Sequence, residues 1–489
     1  MLLSPNGSPL PEWLTGVCTQ WHQPGLAIAV TTGDEILYEG GVGTRKTGTS
    51  TPIDEHTIFA IASLSKSFAA ASIGWLSDQG HLSLDDKVQQ HLPHFDLSDP
   101  QAASEATIRD LLCNHVGLET SEGRHRRSAT SYTDFLDRLR HQPFRHPFKQ
   151  QFSYCSDPFT VIGALVAELT GRPWADTAQQ AFWGPLGMLR TNADHKVAQT
   201  DNNSATPHLI TNRVADPIPW GYEDHAATPA GGVNSSVHDM ALWLQAHLSH
   251  FDAKGSSILS QKVLTEILTP HVTEEGSFAD DELASVVGHG EGRIQSPTYA
   301  LGWYCHTYHG RRVVYHTGSI DGFRSMMGFL PEEKWGVVLL ANADNPYLLR
   351  GLFQTLVDQH LGLEGDNWLQ GFFEKDSKLR NEANAAEETL QQERDATPCP
   401  TSLEALCGDY IDGTGFGDAT ITLEDGRLIL TAGAASFELR PWSGPTFEGI
   451  RRAPYAPIRQ FFATLDGTAK DGVRRITTTQ GAVFNRRGH

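Results

Sequence analysis

Strand-like segments far apart in the sequence constrain the fold of this chain most strongly. Residues 24–44 (PGLAIAVTTGDEILYEGGVGT) predict a hairpin that turns at Gly33-Asp34. Residues 311–318 (RRVVYHTG) and 323–343 (FRSMMGFLPEEKWGVVLLANA) predict at least three more strands. Helical patterns fill the long interval between these two regions. We therefore expect an α+β fold in which the terminal strands share one antiparallel sheet sandwiched by helices.

The helical pattern is clearest at four places in that interval. Apolar residues recur there at helical spacing, and a glycine follows two of the segments as a stop signal. The predicted helices are Lys66–Asp78, Thr107–Cys113, Pro158–Thr170 and Val237–Leu248.

The sequence changes character after residue 362. Residues 363–400 are mostly polar and helix-prone, which indicates a helical linker. Short strand-like segments recur in residues 401–489, and Asp425-Gly426 between two of them is a strong hairpin signal. We predict three parts, 1–362, 363–400 and 401–489, of which the last is a small all-β barrel or sandwich.

Composition and charge exclude several classes of function. The 489 residues carry a net charge of −20, which argues against a nucleic-acid partner because phosphate backbones require clustered Lys and Arg. The six cysteines form no CxxC pair, which argues against a cysteine zinc site or a disulfide scaffold. No run approaches the roughly 20 apolar residues of a membrane helix, and the N-terminus lacks a secretory pattern. We expect a cytoplasmic protein with no membrane span.

The segment FAIASLSKSFAA, residues 59–70, holds the one lysine that follows a serine by three positions, Lys66 after Ser63. If a helix begins at Ser63, the two side chains share one face, with Cβ atoms about 5–6 Å apart. A helix N-terminus disfavours a protonated lysine and favours negative charge. Ser63 would then be a nucleophile and Lys66 the base that accepts its proton. The alternative is a serine helix cap beside a solvated lysine.

Two further segments carry candidate chemistry. Tyr154, in FSYCSDPF, precedes a predicted helix, where a phenol can relay a proton, although most tyrosines are packing residues. His316, Thr317 and Gly318 end the predicted strand RRVVYHTG. A glycine there would let a peptide-like substrate approach the strand edge to edge, and the N–H of Ser319 would face its carbonyl oxygen.

In this order, SxxK, a Tyr-x-x triplet and a His-Thr-Gly strand, the motifs resemble the serine β-lactamase and penicillin-binding-protein family. The resemblance is strongest to class C enzymes and their peptidase and esterase relatives. The segments IRDLLCNHVGL, ATPAGGVNSSVHDMALWL and YALGWY are similar to that family's segments, so the resemblance covers about residues 20–345. The last strands resemble the lipocalin-like β-barrel domain appended to several of these hydrolases.

The resemblance implies a role for each motif residue. Ser63 is the acylated nucleophile, Lys66 its basic partner and Tyr154 the proton shuttle to the leaving group. His316 takes the place of a cationic lysine, and the backbone N–H groups of Ser63 and Ser319 form the oxyanion hole. The substrate-binding residues are Ser156, Thr317 and Gly318. No metal or organic cofactor is implied.

Three features depart from the family pattern or compete with it. The usual Tyr-x-Asn triplet is Tyr154-Cys155-Ser156 here, and the shorter Ser156 argues against efficient β-lactam turnover. A literal Lys46-Thr47-Gly48 precedes the SxxK motif, so we interpret it as a turn. Cys305, His306 and His309 have a spacing that suits a metal, but no HExxH pattern or carboxylate partner supports one.

These motifs predict a serine hydrolase that forms an acyl-enzyme on an amide or ester bond. The first choice of substrate is a short peptide or amide that contains a D-amino acid. The alternatives are a carboxylesterase, a β-lactamase, a peptide-macrocyclising thioesterase, and a binding protein that is acylated without turnover. A small molecule or short peptide is the expected partner, and a homo-oligomer is left open.

Overall fold

In the computed structural model, an eight-stranded antiparallel sheet precedes a closed eight-stranded barrel. The structure describes residues 4–120, 131–220, 228–249, 257–274, 294–363, 367–394, 399, 402–412, 418–432, 435–451, 459–466, 475–479 and 483–487. The strands are β1 Gly25–Thr32, β2 Ile36–Gly43, β3 Phe59–Ala60, β4 His208–Thr211, β5 Val214–Pro217, β6 Asn234–Ser235, β7 Val272–Thr273, β8 Ile294–Tyr299, β9 Tyr304–Tyr308, β10 Arg311–Ile320, β11 Phe323–Leu330, β12 Trp335–Ala341, β13 Gly408–Asp412, β14 Ala419–Glu424, β15 Arg427–Ala432, β16 Ala435–Ser443, β17 Thr446–Arg451, β18 Arg459–Asp466, β19 Arg475–Thr478 and β20 Val483–Arg486.

Most of the helices lie between β2 and β7, as the helical patterns predict. The α-helices of the described residues are α1 Leu10–Gln20, α2 Ser65–Asp78, α3 Val88–His91, α4 Pro100–Glu105, α5 Ile108–Leu112, α6 Tyr132–Leu139, α7 Asp157–Thr170, α8 Trp174–Ala178, α9 Gly184–Leu186, α10 His195–Thr200, α11 Thr228–Gly231, α12 Val237–Ser249, α13 Gln261–Ile267, α14 Pro346–Leu361, α15 Trp368–Glu393 and α16 Leu403–Leu406. The four predicted helices are confirmed as α2, α5, α7 and α12.

The large sheet joins strands from both ends of the first part of the chain, as predicted. Its order is β2-β1-β12-β11-β10-β9-β8-β7, and β1 pairs antiparallel with β12. Leu26, Ile28 and Val30 face a core built with α1 and α14, whereas Ala27 and Ala29 face the core that contains α2 and α12. Because both faces of β1 are covered, its sequence is a continuous apolar run without polar alternation.

The C-terminal strands β13 to β20 close a barrel in sequence order, which confirms the predicted barrel and excludes the sandwich. Asp425 and Gly426 join β14 and β15 with φ values of 49° and 77°, the left-handed pair that a two-residue hairpin turn requires. Side chains such as Tyr410, Phe447 and Phe461 fill the interior, as an eight-stranded barrel allows. The lipocalin-like character of the barrel stays a prediction.

Helix α15 lies between the sheet and the barrel, within the polar segment predicted to be a helical linker. The boundaries at residues 362 and 401 stay predictions. All six cysteines are free thiols. Among the described residues, no helix combines the length and apolar character needed to cross a membrane.

Candidate active site

Ser63 lies in a short 3₁₀ turn, Ala62–Leu64, that runs directly into α2. Helix α2 begins at Ser65, one residue before the predicted start at Lys66, so Ser63 lies in the turn that precedes the helix. Ala62 has a φ of 48°, a left-handed conformation that costs a non-glycine residue about 1 kcal/mol. The Ser65 hydroxyl donates to the Ala62 carbonyl at 2.6 Å and accepts the N–H of Val233 at 3.1 Å. These bonds hold the serine turn in its strained shape.

Gly318 of β10 packs against the same turn. A Cβ atom at position 318 would overlap the Ile61 carbonyl oxygen and the Ser325 hydroxyl, which are themselves joined by a 2.7 Å hydrogen bond. The glycine was expected to make room for a substrate. That stays a prediction, and the structure shows a further reason for glycine: a side chain at position 318 would overlap the protein and separate β10 from the Ser63 turn.

The side chain of Lys66, three residues after Ser63, is fully buried. Its Nζ donates to the hydroxyls of Ser63 at 2.9 Å and Ser156 at 3.0 Å, and to the carbonyl oxygen of Ala230 at 2.7 Å. The close pair of Ser63 and Lys66 follows the predicted spacing. Ser156 contacts the lysine and helps to position the amine, whereas its predicted contact with substrate stays a prediction.

Tyr154 stands beside this amine, three residues before the start of α7 at Asp157. The Lys66 Nζ lies 5.2 Å from the centre of the Tyr154 ring. The ring is also 6.0 Å from His316 and stacks at 6.1 Å on Tyr304. The structure therefore brings the predicted phenol, amine and imidazole into one cluster.

His316 is buried, and its hydrogen bonds define its tautomer. Nδ1 lies 2.7 Å from the Thr317 carbonyl oxygen, which can only accept, so Nδ1 carries the proton. Nε2 is then an acceptor for the Tyr299 hydroxyl at 3.2 Å. Burial, together with the positive charge of Lys66, lowers the pKa of His316 to about 3. The residue in the place of a cationic lysine is therefore a neutral imidazole at pH 7.

The edge of β10 is open beside the Ser63 turn. Strand β9 pairs with β10 only from Arg311 to Tyr315, and in the described chain no strand pairs with residues 316–320 on that side. Thr317 is half-buried and Ser319 is exposed. A Cβ atom at position 318 would lie 3.2 Å from the Ala62 Cβ atom, so this part of β10 packs closely against the turn that carries Ser63. The unpaired backbone groups can receive an extended substrate.

Sequence reasoning missed two members of the site, Tyr299 and the Ala230 carbonyl. Tyr299 is fully buried, and its burial raises its pKa well above the usual value, so it remains a neutral donor. Both residues belong to segments that resemble the family, YALGWY and ATPAGGVNSSVHDMALWL. Their positions were visible in the sequence, but their contacts with His316 and Lys66 were not.

The competing motifs lie outside this cluster. Lys46-Thr47-Gly48 forms a turn in which Gly48 has a φ of 76°, which confirms its interpretation. His306 is buried in β9, whereas His309 is exposed in the turn after it. Among the residues described, no group of three or more His, Cys, Asp or Glu side chains could hold a metal ion.

The buried histidines predict a loss of stability in acid. Burial lowers the pKa of His306 to about 4, and that of His316 is about 3, against 6.5 for an ordinary histidine. Between pH 6.5 and these values the unfolded chain binds more protons, so the free energy of unfolding falls as the pH falls. Each group contributes about 1.4 kcal/mol per pH unit in this range. We therefore expect the two histidines to lower the free energy of unfolding by about 5 kcal/mol between pH 7 and pH 4.5.

Urea unfolding at both pH values measures this effect. In His306→Phe the pH-dependent loss should be about 2 kcal/mol smaller than in the parent protein, because one group no longer titrates. His309→Asn, at the exposed turn, should lose as much as the parent. Equal losses in all three proteins would contradict a neutral, buried His306.

A family model described as Beta-lactamase matches residues 16–354. The chain belongs to the beta-lactamase family. The match spans the whole cluster from Ser63 to His316, and it confirms both the resemblance and the predicted fold of the large part. The beta-lactamase fold and a relative named as a hydrolase make this chain a serine hydrolase of that family.

Other comparisons extend this likeness over the barrel. Unguisins hydrolase ungD of Aspergillus violaceofuscus is 26% identical over 449 residues, which cover 85% of this chain and 77% of the relative. An octameric penicillin-binding protein homologue from Pyrococcus abyssi has a similar structure, with a TM-score of 0.61, 17% identity and coverage of 97% and 98%. SurE crystallised with D-Leu has a TM-score of 0.56 and 18% identity, and covers 98% of each chain.

Proposed function

We propose that this serine hydrolase forms its acyl-enzyme on Ser63 and acts on short peptides or amides that contain D-amino acids. The observation that carries the proposal is the buried Lys66 amine, 2.9 Å from the Ser63 hydroxyl. A serine needs an adjacent base to become a nucleophile at neutral pH, and a lysine in contact with it supplies one.

The surroundings of Lys66 orient it for this role. To act as the base, Lys66 must first lose the proton that it carries in its charged form. The neutral amine then has two N–H bonds and one lone pair, and the site offers a partner for each. The Ala230 carbonyl can only accept an N–H, and the Ser156 hydroxyl can accept the other. The lone pair is thereby directed at the Ser63 hydroxyl, from which it takes the proton as Ser63 attacks the substrate carbonyl.

The remaining steps follow from the same cluster. The N–H groups of Ser63 and Ser319 stabilise the tetrahedral oxyanion in this proposal, and the close packing of Gly318 against the serine turn supports it. Tyr154, beside Lys66, passes the proton to the leaving amine, so that the C–N bond breaks and the acyl-enzyme remains. Water then attacks the acyl carbonyl and gives a proton to the same groups. These groups return a proton to the Ser63 oxygen as its bond to the acyl carbon breaks, which frees Ser63.

The neutral state of His316 restricts the substrate. Both ring nitrogens are already bonded, to Thr317 and Tyr299, and the imidazole carries no charge to pair with a substrate carboxylate. This favours amides and esters without a negative group at that place. The open edge at residues 316–320 suits the backbone of a peptide. The likeness to an unguisins hydrolase and to SurE with D-Leu supports a peptide substrate with a D-residue.

A panel of chromogenic substrates tests the proposal. We expect D-aminoacyl p-nitroanilides to be cleaved with a kcat/KM about 100-fold above that of the L-isomers, because a pocket shaped for one hand misplaces the other. A short p-nitrophenyl ester and a chromogenic cephalosporin complete the panel. A preference for the ester alone would indicate a carboxylesterase. Acylation of one equivalent without release of further product would indicate a binding protein, and either result would contradict the proposal.

A further inference from the structure

The barrel contacts the strand that carries the active site. Strand β10 ends at Ile320, and the turn that follows it begins with Asp321. Arg451, the last residue of barrel strand β17, donates from Nη1 to Asp321 Oδ2 at 2.8 Å. Arg451 is only 5% exposed, so the barrel contributes a buried cation to this contact.

The other side of the turn is held by Arg324 of β11. Its Nη1 donates to the carbonyl oxygens of Ile320 at 3.1 Å and Phe323 at 2.8 Å. The same guanidinium forms an ion pair with Asp344. Burial lowers the pKa of Arg324, while Asp344 and Asp321 counteract that effect and favour its charged form. Asp321 therefore lies between two arginines, one from its own hairpin and one from the barrel.

Helix α15 extends this arrangement. Arg380 Nη2 donates to the Asp344 carbonyl oxygen at 2.7 Å, and Arg380 Nε donates to Asp376 at 2.7 Å. Three ion pairs thus lie on one path from the barrel through the β10–β11 turn to α15. The third pair is internal to α15, and the bond from Arg380 to the Asp344 carbonyl oxygen joins it to the second. We call them the ion-pair series: Arg451–Asp321, Arg324–Asp344 and Arg380–Asp376.

The position of this series relative to Ser319 matters for catalysis. Asp321 is two residues beyond Ser319, about 7 Å along an extended strand. An oxyanion donor acts only when its N–H is held within hydrogen-bond distance of the developing charge, and displacement by about 1 Å can cost 100-fold in rate. Strand β9 does not brace β10 at this point, because its pairing ends at Tyr315.

We propose that Arg451 is a positioning residue: through Asp321 it holds the end of β10, so that the barrel sets the place of the Ser319 N–H. This rests on the proposed function, in which Ser319 contributes to the oxyanion hole. A buried ion pair is suited to positioning a strand because it is satisfied in one geometry only. Removal of one partner leaves the other charge buried without a counter-charge.

Steady-state kinetics of Arg451→Gln, Asp321→Asn and the double variant test the proposal. We expect each single change to lower kcat about 10-fold with little change in KM, because the oxyanion donor acts in the transition state. The double variant should be no worse than either single one, since both remove the same contact. Arg451→Lys, which keeps the charge, should recover most of kcat.

Arg440→Gln is the matched control, because the Arg440 side chain is half-exposed and its ion-pair partner, Glu438, lies in the same barrel strand, β16. It should keep the parent kcat. If Arg451→Gln lowers the melting temperature but leaves kcat unchanged, Arg451 is only structural and the proposal is wrong. If Arg451→Gln does not fold, Asp321→Asn and Arg451→Lys carry the same comparison. Full activity in Ser63→Ala would instead overturn the proposed function, so the two failures are distinguishable.

Discussion

Replacement of Ser63 by alanine should lower kcat about 10⁴-fold or more on every substrate that the protein cleaves. The methyl group cannot form the acyl bond, and the oxyanion N–H groups and substrate binding alone leave only weak catalysis. KM should change little, because the change leaves untouched the backbone edge of β10 that we propose as the substrate-binding edge. Steady-state kinetics measure the loss, and intact mass after brief exposure to substrate shows whether an acyl adduct forms.

Ser67→Ala is the matched control for this change. Ser67 stands in the same helix, donates from its hydroxyl to Leu64 and accepts from the Trp243 indole at 3.0 Å. Its loss should reduce stability by about 1 kcal/mol and leave acylation intact. Activity that survives in Ser63→Ala, or an acyl adduct on that variant, would show that another residue is the nucleophile.

Replacement of Lys66 by methionine should lower kcat about 10³-fold, because the buried base is lost while the nucleophile remains. Methionine has a similar length and no charge, so the pocket around position 66 can stay filled. The change leaves the Ala230 carbonyl and the Ser156 hydroxyl without the Lys66 donor, and we expect the remaining activity to come from slow, unassisted attack by Ser63. The single-turnover rate of acylation measures the effect directly.

Lys66→Arg separates a base from a charge. A guanidinium remains protonated at any pH used for the assay and cannot take the Ser63 proton, although it preserves the positive charge. We expect it to be as slow as Lys66→Met. A fast Lys66→Arg variant would show that the residue acts by its charge, and would contradict its role as the base.

Much of the fold could be predicted because its signals are local. The apolar runs of β1 and β12 indicated buried strands, and Asp425-Gly426 placed a two-residue turn that the structure confirms. Ser63 and Lys66 meet because a turn of helix brings residues three apart onto one face. The 3₁₀ turn that holds Ser63 just before α2 was not predicted, because a hydrogen bond from the distant Val233 to Ser65 helps to hold it.

The sequence by itself determined the sheet, the four principal helices, the barrel and the order of the motifs, because these depend on neighbouring residues and short spacings. Only the tertiary structure decided that Gly318 makes room for the serine turn, that the Tyr299 hydroxyl meets Nε2 of a buried His316 and that Arg451 reaches Asp321. These contacts join residues far apart in the chain. Burial and long-range partners set the protonation state and position of a side chain, and neither is encoded in its immediate neighbours.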